Sequence, residues 1–319
     1  DDERSRGHWN GKRGFRIVAR RDHPGDIVEL TMEPEQGAWV PSFTPGQHVA
    51  FSIPETGLER HYSLVSPGQE ASRTLAVAIR RSGTGGLSDY VSDKLQPGDR
   101  VELAAPAGRF RLPLASSRPV LLLASGIGIT PFLGYLRALA AGTDNPPPAL
   151  TLIYASRDRA FDAELRDMAM PGFYYEQPAS GRSLGALLAQ ADRNSRAFLC
   201  GSEAFMEATK AALLDLGFDA HSIQQEHFTP HTPMTSGLDA ATVTLAASGG
   251  SFVWRPDQSS ILAAAEAAGF RLAAGCRAGE CESCAVRLKA GVVSHTREID
   301  DDTCLTCCAV PVGDIVLDA

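Results

Sequence analysis

The chain has 319 residues, 44% of them hydrophobic and 21% charged, which is enough apolar material for two or three compact units. A formal net charge of -8 argues against nucleic acid or an anionic membrane as the main partner, since both are polyanions. No apolar run approaches about 18 residues, so no membrane span is expected, and the opening Asp1-Asp2-Glu3-Arg4 carries no apolar signal region, which predicts a cytoplasmic protein.

After an N-terminal tail (1–14), residues 15–115 read as all-β. Phe15 to Arg21, Asp26 to Pro34, Gln47 to Pro54, Leu75 to Arg80 and Asp99 to Ala104 alternate or are β-branched, with turn residues such as Pro45-Gly46 and Pro97-Gly98-Asp99 between them. Only Leu87 to Leu95 looks helical, and a small antiparallel barrel fits. Over 116–228 the rhythm becomes strand–helix alternation. Strands at Val120 to Ala124, Leu150 to Ala155 and Ala197 to Cys200 are separated by helices at Pro131 to Ala141, Phe161 to Met170 and Ser183 to Ala191, and a further helix at Ala204 to Leu216 follows. That order predicts a parallel sheet with helices on both faces. Residues 229–240 have linker composition. Residues 241–319 predict a hairpin, a helix at Ser260 to Ala268, a cysteine loop and two more short strands, an α+β unit.

Three motifs carry chemistry. In the barrel region, Arg60-His61-Tyr62-Ser63 places a cation, a flat ring and a hydroxyl on one extended run, with Arg60 and Tyr62 on one face and Ser63 on the other. Gly85-Gly86-Leu87-Ser88 opens the lone helix, whose N–H groups suit a phosphate. Taken singly both signals are weak, and an Arg-x-Tyr-Ser in a strand is more often ordinary surface and core alternation. In the second region, Ser125-Gly126-Ile127-Gly128-Ile129-Thr130 lies between a buried strand and a helix, where doubly wound sheets bind pyrophosphate. Ser156, Arg157 and Arg159 follow the next strand, where an adenosine phosphate would lie, with Asp158 among them opposing it. Six of the seven cysteines fall between 276 and 308. Cys276, Cys281 and Cys284 have C-x4-C-x2-C spacing, that of a [2Fe–2S] loop, with Cys307 as a distant fourth thiolate. Cys281-x2-Cys284 with Cys304-x2-Cys307 matches a structural zinc pattern equally well on spacing alone.

Gly275-Cys276-Arg-Ala-Gly-Glu-Cys281-Glu-Ser-Cys284 with Leu305-Thr306-Cys307 resembles plant-type ferredoxins, and Arg60-x-Tyr62-Ser63 with Gly85-x-x-Ser88 resembles the ferredoxin reductase-like flavin barrel. The order of modules is similar to that of the phthalate dioxygenase reductases. The resemblance implies a multidomain protein: an antiparallel β-barrel flavin domain, an α/β parallel-sheet nucleotide domain and an α+β (β-grasp) ferredoxin domain. It implies cluster ligands Cys276, Cys281, Cys284 and Cys307, with Cys304 and Cys308 as small buried hydrophobes. Flavin contacts fall to Arg60, His61 (the motif's variable residue), Tyr62, Ser63, Gly85, Gly86, Leu87 and Ser88. Nucleotide contacts fall to Gly126, Gly128, Thr130, Ser156, Arg157, Cys200 and Gly201. Hydride transfer would occur among Ser63, Thr130, Cys200 and Phe228.

Pro106-Ala107-Gly108-Arg109-Phe110 looks more like FAD-binding members than FMN-binding ones, and NADH is favoured with NADPH open. Two departures stand out: Ser125 replaces a family glycine, which predicts crowding of the pyrophosphate, and Ser202 replaces a proline. The expected activity is an NAD(P)H-dependent reductase passing single electrons to another electron-acceptor protein, the terminal oxygenase of a bacterial Rieske-type system. The acidic run Glu298-Ile299-Asp300-Asp301-Asp302 reads as a solvated loop or as a docking patch for a basic partner. The other readings are a flavin reductase or nitric oxide-related enzyme, and a zinc-stabilised interaction module.

Overall fold

The computed structural model describes residues 9, 11–36, 39–68, 72–142, 146–168, 170–178, 183–228, 233, 235–275, 277, 279, 282–295, 299–300 and 302–319. It divides into two compact units, Asp1–Glu226 and His227–Ala319.

The first unit opens with β1 (Lys12–His23), β2 (Ile27–Pro34), β3 (His48–Ile53), β4 (Leu58–Ser63), β5 (Leu75–Arg80) and β6 (Arg100–Ala104), with α1 (Leu87–Lys94) between the last two. They form one antiparallel sheet in the order β4-β3-β6-β1-β2-β5. An isolated bridge from Leu64, just past β4, to Val77 of β5 joins the two edges, so the sheet closes into a barrel. Inward residues Phe15, Ile17, Leu30, Met32, Phe51, Val77 and Leu103 fill it, and closure removes the exposed edges that an open sheet must protect. The Arg60–Ser63 motif lies at the end of β4. Leu58-Glu59 begins the strand after the Thr56-Gly57 turn.

The same unit continues with β7 (Val120–Ser125), a 3-10 turn over Gly126–Ile129 running into α2 (Thr130–Ala140), β8 (Leu150–Ala155), α3 (Asp162–Asp167), β9 (Phe173–Glu176), α4 (Leu184–Leu188), β10 (Arg196–Cys200), α5 (Glu203–Asp215) and β11 (Ile223–Glu226). These strands pair in parallel in the order β11-β10-β7-β8-β9. The strand order reverses between β7 and β10, so a crevice opens at their carboxyl ends, where such sheets take their ligands. Two expected helices are shorter than predicted, and β9 and β11, four residues each, were not expected. Both are edge strands, too short for a periodicity to register.

The second unit contains β12 (Ala241–Leu245), β13 (Gly250–Trp254), α6 (Ile261–Ala267), β14 (Ala285–Ala290), β15 (Val293–Ser294), β16 (Thr303–Leu305), β17 (Val310–Pro311) and β18 (Ile315–Leu317). The expected hairpin and helix are present, and Ser260 caps α6 by accepting from the Ala263 N–H at 3.1 Å. Where two further strands were expected there are five. They order as β13-β12-β18-β14-β16, with β15 and β17 paired separately. The β12–β18 pair is parallel and crosses over the helix, which gives the β-grasp. Trp254, Ile261, Val243 and Leu317 are fully or almost fully buried in its core.

Candidate flavin, nucleotide and cluster sites

Antiparallel pairing sets Ser63 opposite His48 and Tyr62 opposite Val49. The Tyr62 ring meets Phe51 edge-on at 6.0 Å. Burial raises the Tyr62 hydroxyl pKa, with Arg60 opposing the shift and Asp89 of α1 adding to it. Ser63 is 4% exposed, yet its hydroxyl has no hydrogen-bond partner among the described residues. A buried hydroxyl left unmatched costs about 1–3 kcal/mol, so an acceptor or donor from a bound cofactor fits here. His61 lies 4.8 Å, ring to ring, from His48. The backbone of His48 in turn exchanges two 2.9 Å bonds with Ala107, which pins the 106–110 segment beside the motif.

The glycine loop differs from expectation in one respect. Asp89 is 6% exposed and accepts from the N–H groups of Ser82 at 3.0 Å, Gly83 at 2.7 Å and Gly85. The Gly85 N–H is therefore spent on the chain's own carboxylate. Gly86 caps α1 without a side chain, leaving the first-turn N–H groups of Leu87 and Ser88 for an anion. The Ser88 hydroxyl donates to Ser82 at 2.9 Å.

At the crevice, Gly126 takes a φ of +54° and Tyr154 donates to its carbonyl at 3.0 Å. A Cβ on Gly128 would stand 2.3 Å from the Cys200 carbonyl oxygen, so this glycine is needed where two loops cross, not only for a phosphate. The Ser125 hydroxyl accepts from the Ser202 N–H at 3.1 Å. The serine thus faces the Gly201 turn and ties the two loops together. Thr130 is buried and its hydroxyl donates to Ile127 at 3.1 Å. Cys200 is fully buried at the end of β10.

Glu226, which sequence reasoning left without a role, is 4% exposed and in register with Cys200 across β10–β11. A carboxylate ending a strand beside the switch point was the signal for it. Ser156 is half-buried, and Arg157, Asp158 and Arg159 are exposed. Asp158 does not face a phosphate position unopposed: Arg80 of the barrel engages it at 3.1 Å. Phe228 is 39% exposed and belongs to the second unit.

In that unit Arg277 and Glu282 hold positive φ, +59° and +57°, as does Gly279 at +81°. Arg277 is clamped by both oxygens of Glu266 at 2.8 and 2.6 Å. Cys276 and Cys281 lie outside the described residues, as do Glu298 and Asp301 of the acidic run. Cys284 and Cys307 are each 1% exposed, with sulfurs 3.2 Å apart. One tetrahedral metal with bonds of about 2.3 Å would hold two sulfurs roughly 3.7 Å apart, so this pair fits a shared iron. Thr306 holds them together: its N–H and hydroxyl both bond the Cys284 carbonyl at 3.3 Å. Cys304 is 0% exposed and packs with Val243, Val310 and Leu317, and burial pushes its thiol up to about 12. Cys308 is buried below Gly279, where an added Cβ would lie 2.7 Å from its sulfur.

A flavin barrel, a dinucleotide crevice and a cysteine-bearing β-grasp in one chain define an NAD(P)H-dependent flavin and iron–sulfur oxidoreductase. Residues 18–112 match an oxidoreductase FAD-binding domain, and residues 243–312 match a 2Fe-2S iron-sulfur cluster binding domain. These assign FAD and a [2Fe–2S] cluster as the cofactors and set aside the zinc reading. The chain is 32% identical to tetrachlorobenzoquinone reductase of Sphingobium chlorophenolicum, over 89% of this chain and 91% of that one. It is 28% identical to the phthalate 4,5-dioxygenase oxygenase reductase subunit of Pseudomonas putida, over 90% and 88%. The solved phthalate dioxygenase reductase superposes with a TM-score of 0.69 at 26% identity, over 97% of this chain and 98% of that one. The chain belongs to the ferredoxin reductase-like flavoprotein reductases that carry a C-terminal plant-type [2Fe–2S] domain. Among the described residues, no helix is long and apolar enough to cross a membrane.

Proposed function

We propose that this chain is the reductase component of a bacterial Rieske-type oxygenase system, delivering single electrons from NADH to a terminal oxygenase. The observation that carries this reading is the Cys284–Cys307 pair, a one-electron exit on the same chain as a flavin barrel and a nucleotide crevice. The proposed modules are 15–115 for flavin, 116–228 for nucleotide and 241–319 for the cluster, joined by 229–240. We further propose a cytoplasmic location, in keeping with the acidic composition and the need for reduced nicotinamide.

When bound, these groups supply the conversion of a two-electron hydride donor into electrons passed singly. The chain's residues do the placing. Arg60 and the first turn of α1 (Leu87 and Ser88, with Gly85 and Gly86 shaping the approach) would hold the flavin's phosphates. Tyr62 would pack on its ring, with His61 beside it on the same strand, and the unmatched Ser63 hydroxyl would hydrogen-bond the cofactor. Gly126, Gly128 and Gly201 would admit the nucleotide's pyrophosphate, with Ser156 and Arg157 toward the adenosine end. Thr130, Cys200 and buried Glu226 would border the nicotinamide. Cys276, Cys281, Cys284 and Cys307 would ligate the cluster.

A second reading, two-electron reduction of a small quinone, is favoured by the likeness to tetrachlorobenzoquinone reductase. The Cys307→Ser variant separates the two. If electrons leave through the cluster, the variant loses reduction of cytochrome c and of the oxygenase but keeps NADH:ferricyanide turnover at the flavin. Undiminished quinone reduction by the variant, with little transfer to any protein acceptor in the wild type, overturns the oxygenase reading.

A further inference from the structure

The barrel and the nucleotide sheet are held together by a charge cluster that the electron-transfer chemistry does not use. Arg137, on α2, reaches across to the barrel, donating to Glu29 of β2 at 2.6 and 3.3 Å and to the Val65 carbonyl at 3.1 Å. Its other edge grips Glu164 of α3 at 2.7 and 3.0 Å. His23 of β1 completes the cluster by meeting Glu29 at 2.9 Å. The side chains of His23, Glu29, Arg137 and Glu164 are only 5%, 11%, 19% and 25% exposed.

Two more contacts come from the segment after β8. Asp158 pairs with Arg80 at 3.1 Å and fills the space beside Gly25, where a Cβ would be 2.6 Å from its oxygen. The Phe161 ring meets that of His23 at a tilt, 4.2 Å between centres. Arg159 and Phe161 both hold positive φ, +52° and +61°. Such strain in non-glycine residues persists only where the surroundings impose it.

The register of α2 against the barrel is equally tight. A Cβ on Gly134 would lie 2.6 Å from the Leu64 carbonyl oxygen and 3.1 Å from that of Ser66. Thr130, Gly134 and Arg137 fall on one face of the helix at i, i+4 and i+7. The helix thus runs along residues 64–66, directly after Ser63, and Thr130 is one turn, about 6 Å of rise, from the Gly134 contact. Shifting the Arg137 anchor shifts Thr130 against Ser63.

We propose that Arg137 is a positioning residue for hydride transfer: by clamping Glu29, Val65 and Glu164 it sets the register between the nucleotide-binding turn and the flavin-binding strand. The inference rests only on the nicotinamide-to-flavin step, so it is independent of which acceptor receives the electrons. Hydride transfer is steep in distance, and a displacement of about 1 Å costs on the order of 100-fold.

The test uses the holoenzyme and its Arg137→Met and Arg137→Lys variants under anaerobic conditions. Stopped-flow mixing with NADH reads the limiting rate of flavin reduction, the apparent nucleotide affinity and the long-wavelength charge-transfer absorbance of stacked nicotinamide and flavin. For Arg137→Met, flavin and iron content should be unchanged and affinity should stay within about 3-fold. The limiting rate should fall at least about 10-fold and the charge-transfer band should weaken. Arg137→Lys should recover part of both. An unchanged rate and band, with only a lower melting temperature, overturns the proposal. Should Arg137→Met fail to fold, Glu164→Gln loosens the clamp from its other edge. A weaker band with full flavin content supports the clamp, and a band and rate identical to wild type sinks it.

Discussion

The Ser125 hydroxyl and the Ser202 backbone N–H, 77 residues apart in sequence, are joined by a 3.1 Å hydrogen bond across the carboxyl ends of β7 and β10. The bond leaves no room beside it, since a Cβ on Gly201 would stand 2.2 Å from the same oxygen. Gly201→Ala should cost roughly 2 kcal/mol and weaken nucleotide binding. Ser125→Gly alone should cost about 1 kcal/mol, the worth of one such bond. Combined, the two should recover most of the Gly201→Ala loss. Thermal unfolding of all four proteins as a double-mutant cycle checks this, and strict additivity would refute the shared clash.

Gly128 offers no such rescue, because its would-be neighbour is the main chain of Cys200. Gly128→Ala should destabilise the first unit by roughly 3 kcal/mol, whatever stands at 125. Differential scanning calorimetry would show this as a lowered transition, with the visible spectrum of the cluster retained.

Burial alone would raise the Glu29 carboxyl, but hydrogen bonds from His23 and Arg137 outweigh it and hold the group at about 2. A depressed folded-state pKa stabilises fully above the ordinary carboxylate range, and the contribution is lost as pH falls through about 2. Wild type should therefore exceed Glu29→Gln by about 3 kcal/mol at neutral pH, with the gap narrowing as pH falls below the ordinary carboxylate value and gone near pH 2. Denaturant titrations of both proteins from neutral pH downward measure it. A gap already closed near pH 6 would refute the depressed carboxyl.

Asp89 organises the loop before α1 by accepting three backbone N–H groups, and those bonds hold its own pKa below the usual carboxylate value. Asp89→Asn should loosen the phosphate approach and weaken flavin retention about 10-fold. Fluorescence of flavin released on dilution is the readout. Tighter retention would mean that its negative charge near a phosphate matters more than the loop's order.

Cys304 lies in an apolar core and Cys307 against Cys284. Cys304→Ala should keep the visible absorption and the iron of the wild type, whereas Cys284→Ser and Cys307→Ser should lose both. Loss of iron from Cys304→Ala would reinstate the paired CxxC ligation that spacing alone left open.

Much of the architecture was legible because its signals are local. The alternation of Leu75–Arg80, the apolar run of Val120–Ser125 and the cysteine spacing each announce an element without reference to the rest of the chain. What could not be read depends on distant partners. Arg137 in sequence is an unremarked cation in an apolar helix, and only folding brings Glu29, 108 residues away, against it. Ser125 looked like a defect in a glycine motif because its partner lies on another loop. Asp89 gives no signal in sequence, because the N–H groups it accepts from belong to a turn that folds back on it. The edge strands β9 and β11 take their conformation from their neighbours in the sheet and carry no period of their own.

Asp158 sits between Arg157 and Arg159, in the stretch an engineer would redesign to exchange NADH for NADPH, yet its carboxylate is held by Arg80 on the barrel. Recoding that stretch for a new coenzyme therefore risks slower flavin reduction even where the intended nucleotide binds well. Libraries that vary 156, 157 and 159 while sparing 158 should yield more efficient coenzyme-switched enzymes than those that vary all four.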